Sequence, residues 1–177
     1  MAIFLIILSC LLWLLSLWLL RGRQVGAPAA SFAALLLLSL AKKNGWQLLP
    51  INLTMLTGWL CMTLVVMFVC YLQAPAVRAQ TKGWGYMTIG GLCGMAVGLH
   101  GNSFAASVSV LYGIMIIGVI MGIFLGFLLY TNTPDGRPVA PRSGHFLKYL
   151  LAKGFPTAIT IMQGGVALVL LIAIHSS

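Results

Sequence analysis

The sequence predicts an all-α membrane protein, a polytopic transmembrane helix bundle of six spans. Three observations carry that expectation. Of the 177 residues, 61% are hydrophobic and 6% charged, whereas a soluble domain carries about a quarter of its residues as charge. The apolar residues fall into six runs, and the basic residues sit in the short links between them. Two of those runs carry glycine at every fourth position: Gly90, Gly94 and Gly98 in one, Gly118, Gly122 and Gly126 in the next. No polar block is long enough to fold by itself, so residues 1–177 read as one integral membrane domain.

The first run, 2–20, holds no charge. A cleaved leader has basic residues before a short apolar core. Here Arg21 and Arg23 follow a longer core, so a retained helix is expected. The second run, 25–41, places Pro28 in a first helical turn, where its missing N–H costs nothing. It only just meets the lower limit of about 17 residues for a span. A re-entrant segment, leaving five spans, is the alternative. The third run is 51–73. The fourth and fifth, 84–100 and 104–130, are joined by His100-Gly-Asn-Ser103. Residues four apart share a helix face. In lipid, where hydrophobic drive between helices is weak, small residues on that face let backbones approach. Residues 83–131 are therefore expected to form a glycine-zipper hairpin against which the other helices lean. In the long link 131–156, Thr133-Pro-Asp-Gly136 reads as a turn. Ser143 is the expected N-cap of a short interfacial amphipathic helix near 143–154, with Phe146, Leu147, Leu150 and Leu151 on its apolar side. The sixth run, 156–174, opens with Pro156.

The net charge is +9, but its pattern excludes nucleic acid as the partner. Basic residues paired beside apolar runs are topology signals. With six spans, the odd links carry eight basic residues (Arg21, Arg23, Arg78, Lys82, Arg137, Arg142, Lys148, Lys153) and the even links two, Lys42 and Lys43. That asymmetry puts the odd links in the cytoplasm and both termini outside, in what the sequence suggests is a bacterial inner membrane. Trp18, Tyr71, Trp84 and Tyr130 then fall at the cytoplasmic interface, and Trp46 at the outer one.

Asp135 is the only acid. Paired carboxylates for glycoside hydrolysis are thus excluded, as are an intramembrane carboxylate relay and an acidic calcium or magnesium cage. No catalytic residue is expected. The four cysteines lie within apolar runs with no C-x-x-C pair and read as small buried hydrophobes. His100 and His175 sit at segment ends and His145 lies in the long link on the other side, so no metal or other cofactor is expected.

The polar residues inside the runs are the candidate site. Gln163 lies about two turns into the sixth run, near the midplane, with Thr160 beside it. Thr54, Thr57 and Cys61 form a stripe on the third. These residues would line a solute path, or would make interhelical hydrogen bonds. His100 and Asn102 mark the outer hairpin tip, a gate or a plain turn. Arg137, Arg142, Lys148 and Lys153 suit phosphate or anionic lipid headgroups, or simply fix topology.

These residues predict a small transporter or channel-like protein for a neutral or anionic solute, passive or weakly coupled because no carboxylate carries a coupling ion. The alternative is a non-catalytic subunit or assembly factor of a larger membrane complex, supported by the absence of charge within the runs. A homo-oligomer fits either. A lipid-modifying enzyme is disfavoured by the missing acids. A conduit requires a polar cavity reaching the midplane, whereas a subunit requires an apolar bundle with a partner-facing patch.

Overall fold

The computed structural model describes residues 2–22, 25–43, 46–47, 51–73, 82–100 and 107–175. It is an all-α bundle. Six long helices account for most of it: α1 (Ala2–Leu19), α2 (Gly26–Leu40), α3 (Leu53–Leu72), α4 (Trp84–His100), α5 (Val108–Thr131) and α6 (Phe155–His175). Each lies within a residue or two of an apolar run, except that α5 starts at Val108, capped by the Ser107 hydroxyl accepting from the Val110 N–H at 3.4 Å. Two-residue strands, Lys42–Lys43 and Trp46–Gln47, pair antiparallel between α2 and α3.

Three stretches are long and apolar enough to cross a membrane: Leu53–Leu72, Val108–Thr131 and Phe146–Leu170. The helices Ile3–Leu19 and Gly26–Leu40 are apolar but shorter. At 15 residues, α2 rises roughly 22 Å against a hydrocarbon core of about 30 Å.

The third of those stretches corrects one expectation. The amphipathic segment near 143–154 is not a separate interfacial helix. An α turn, Phe146–Tyr149, passes through a π turn, Leu150–Gly154, directly into α6. The helical N-cap is His145, and the buried Ser143 hydroxyl makes no hydrogen bond. The π turn accommodates Gly154 against Leu150, where an added Cβ would sit 2.8 Å from Leu150 Cδ1.

Side-chain contacts give each helix its direction. Ser9 of α1 donates to the Ala34 carbonyl of α2 at 2.7 Å, and Gly26 faces Leu19, so α1 and α2 are antiparallel. Trp13 of α1 lies on Thr160 and Gly164 of α6. Thr63 of α3 meets Gln163, and Gly91 and Met95 of α4 meet Ile161 and Gly165. Every long helix therefore runs against the one before it. One end of the bundle gathers Arg21, Lys82, Arg137, Arg142, Lys148 and Lys153; Lys42 and Lys43 lie at the other.

The hub of the bundle is α6, which packs against all five other long helices. Ile161, Val166 and Val169 are fully buried within it. The hairpin α4–α5 is the tightest pair. A Cβ added at Gly90, Gly94, Gly118, Gly122 or Gly126 would overlap a carbonyl oxygen of the facing helix, and one at Gly98 would lie 2.7 Å from the Met115 Cα.

At the basic end an aromatic cluster closes the bundle. The rings of Tyr130 and Tyr149 stack with centroids 5.9 Å apart, with Tyr86 and Phe127 beside them. Tyr149 donates to the Lys82 carbonyl at 2.6 Å and Tyr130 to the Asp135 carbonyl at 3.1 Å. Lys82 Nζ and Asp135 Oδ1 are paired at 2.8 Å, both exposed. The carboxylate raises the Lys82 pKa, through its hydrogen bond and then its charge. The pair's stabilising effect is therefore present below the ordinary lysine range and lost as pH rises through the raised value. Gly83 has φ +85°, and any side chain there would also strike Tyr149 and Tyr130.

Three stability outcomes follow. Gly94→Leu should lower the thermal midpoint in detergent by an amount equivalent to about 3 kcal/mol or prevent folding, because backbone blocks the new side chain. The exposed Leu125→Ile on α5 should change it by less than about 0.5 kcal/mol. Tyr149→Phe keeps the ring and leaves the Lys82 carbonyl without its donor, and should cost about 1 kcal/mol by the same measurement.

Candidate functional site

The polar interior is built where α1, α2, α3 and α6 meet. Gln163 is 1% exposed. Its Nε2 donates to the Thr63 hydroxyl at 2.8 Å, and its Oε1 accepts from the Ser31 hydroxyl. Thr63 passes its own proton to the Trp59 carbonyl at 2.7 Å, and Ser31 also reaches the Pro28 carbonyl at 3.1 Å. One amide thus joins three helices. Such bonding is what burial in an apolar medium demands, since an unmade hydrogen bond there costs more than a made one gains.

Beside this junction Trp13 donates its indole N–H to the Thr160 carbonyl at 3.3 Å. Gly164 makes that contact possible, because a Cβ there would overlap the indole ring. The Thr160 hydroxyl is buried and makes no hydrogen bond; the same holds for Thr88 on α4. A cavity of about 340 Å³ lies between α1, α2 and α6, bounded by Trp13, Ser31, Leu35, Gln163 and Leu168. Its wall is apolar, because the serine and glutamine polar atoms are turned into their mutual bonds.

The sequence candidates are not all brought together. Gln163 and Thr160 sit in one buried region. Thr54, Thr57 and Cys61 lie on the exposed face of α3, and Thr57 donates to the Thr54 carbonyl of its own helix at 2.9 Å. The α3 residue that meets Gln163 is Thr63. His100 ends α4, exposed, and Asn102 lies outside the described residues. Arg137, Arg142 and Lys148 are exposed at the basic end. Lys153 is 1% exposed, inside the π turn, where it interacts with Cys70 of α3. Cys70 is the one buried cysteine; Cys10, Cys61 and Cys93 lie on the outer apolar surface, contrary to the expectation that all four are core residues. Among the described residues no three metal-ligating side chains converge.

Sequence reading missed Ser31, Ser9, Thr63 and Trp13 as members of this junction. The available signal, a serine or threonine amid long aliphatic runs, does not single these residues out, because Thr54 and Thr57 show it on an exposed face.

Among the described residues, two larger grooves open on the outside. One, of about 750 Å³, runs along the glycine crossing between α4 and α5, edged by the exposed Ile89, Val97, Met121 and Leu129. The other, of about 660 Å³, lies between α3, α5 and α6. Both are apolar.

No family model matches the sequence, and no curated protein or solved structure matches it either.

The junction makes a measurable prediction. Gln163→Leu removes two interhelical hydrogen bonds and leaves the Ser31 proton without Oε1. It should lower stability in detergent by about 1–2 kcal/mol. Thr54→Val, on the exposed face, should leave the thermal midpoint unchanged.

Proposed function

We propose that this protein is a non-catalytic subunit or assembly factor of a larger membrane complex, acting through contacts made within the bilayer. One observation carries the reading. Its large grooves are apolar and lateral, while the Gln163, Ser31 and Thr63 side chains at the polar junction are engaged in bonds between its own helices. A conduit for a solute needs free polar groups along its path, and a scaffold needs a shaped apolar surface. The α4–α5 crossing supplies such a surface: its glycines form a zipper, with an apolar cleft along the crossing.

In this reading all six helices span, including the short α2, and the termini lie outside. The basic end faces the cytoplasm, where Arg137, Arg142 and Lys148 meet anionic headgroups. Alternating helix directions support it. After replacement of the native cysteines, Ser107→Cys should react with an impermeant thiol reagent in intact cells, and Asn132→Cys only after lysis. The reverse pattern overturns this orientation.

The docking reading is tested by a photocrosslinking residue at Val97 or Met121, in the cleft, against one at Ile3 on α1. Cleft positions should give one discrete, stoichiometric adduct in native membranes, and Ile3 none. Equal diffuse labelling at all three sites would remove the reading.

The second reading is passive movement of a small neutral or anionic solute past Gln163 and Thr160. The specific observation in its favour is the unbonded Thr160 hydroxyl near a cavity that Gln163 borders. In proteoliposomes, flux that is abolished by Gln163→Leu and partly kept by Gln163→Asn would favour it over the subunit reading.

A further inference from the structure

The groove between α3, α5 and α6 has ends of different chemistry. At the end away from the basic cluster, α3 and α5 touch through the Tyr112 hydroxyl and the Met55 sulfur, 3.9 Å apart. At the basic end, α3 packs against the π turn Leu150–Gly154. Between these contacts the groove opens sideways, with Ala158, Ile159 and Met162 of α6 as its floor. From Leu150 to Met162 the helix rises about 18 Å. That is close to the depth of one leaflet, about half of a 30 Å hydrocarbon core. The volume of about 660 Å³ lies within the usual range for a ligand pocket, about 300–1,000 Å³.

We propose that this groove binds one acyl chain of an anionic phospholipid, whose headgroup is held at the basic end by Lys148 and Arg142. The lining suits a chain that must bend to fit: Met55, Met62 and Met162 are unbranched and adaptable, and Trp59 and Phe124 give flat walls. Gly58 keeps the passage wide, since no atom lies within 4 Å of the position its Cβ would take. Charge selects the headgroup. The lining residue Leu150 directly follows the helical turn that carries the exposed Lys148, and exposed Arg142 precedes that turn. The only acid in the chain is bonded to Lys82. A lipid phosphate therefore supplies the negative charge that the chain does not. The headgroup contact rests on the reading that sets Arg142 and Lys148 against anionic lipid, whereas the groove itself is built from neither the α4–α5 cleft nor Gln163.

The test uses the full-length protein reconstituted in vesicles of equal phosphatidylglycerol and phosphatidylcholine, each with a photoactivatable acyl chain. Phosphatidylglycerol should label peptides containing Met55–Met62 and Ala158–Met162 about ten-fold more than phosphatidylcholine does, from about five-fold per basic residue, reduced by screening. Gly58→Leu fills the groove without a backbone clash. It should reduce labelling of those peptides by both lipids at least five-fold while the thermal midpoint stays within a degree or two. Arg142→Gln with Lys148→Gln should equalise the two lipids without lowering phosphatidylcholine labelling. Equal labelling in the wild type overturns the headgroup assignment. Undiminished labelling in a folded Gly58→Leu overturns the groove as the site, as does labelling concentrated on α4 and α5 peptides.

Discussion

A helix with five neighbours must offer each of them a surface it can approach, and the fold rests on α6 doing so. Its small residues are not on one face. Gly164 receives the indole of Trp13 from α1, while Gly165 receives the sulfurs of Met115 from α5 and Met95 from α4. Ile161 in turn fits the space that Gly91 leaves on α4. A helix apolar all round is stable only when buried, and in lipid its burial yields packing rather than release from water. Volume complementarity at these few positions therefore fixes where the other helices stand.

Close packing alone does not fix rotation or depth, and the polar junction supplies what is missing. Gln163 bonds to Ser31 and Thr63 at once only when α2 and α3 present those residues at one height. Trp13 and Ser9 set α1 in the same manner. Each bond is worth about 1 kcal/mol or less. Misregister leaves buried donors and acceptors unmade, which costs more than that. The junction thus acts mainly by penalising wrong arrangements.

Much of this was legible in the sequence because the bilayer imposes simple rules. Element type and bounds followed from the length of apolar runs, and glycine spacing foresaw the contact of α4 with α5. Periodicity did not reveal that α6, rather than that hairpin, is the hub. A span buried over most of its surface and one facing lipid read alike, since both are apolar throughout. The Thr54 stripe misled for a related reason: on a lipid-facing helix a threonine satisfies its hydroxyl on its own backbone, so polarity there does not mark the interior. The segment 143–154 looked interfacial because Lys148 and Lys153 flank its apolar side. A π turn instead draws Lys153 into the protein, and helical spacing does not encode that turn.

The single carboxylate ties these observations together. In a chain with ten basic residues, one acid cannot neutralise the basic end; it can only choose which cation to hold. Asp135 holds Lys82, the residue beside the left-handed Gly83, where two tyrosines also converge. The acid is thus spent on fastening the entry to α4 over the end of α5. The remaining exposed cations face outward at the end of a bundle whose grooves are apolar. A surface with that pairing, positive at the rim and hydrocarbon-like along the walls, complements amphiphiles of opposite sign more closely than it complements a hydrated solute in transit.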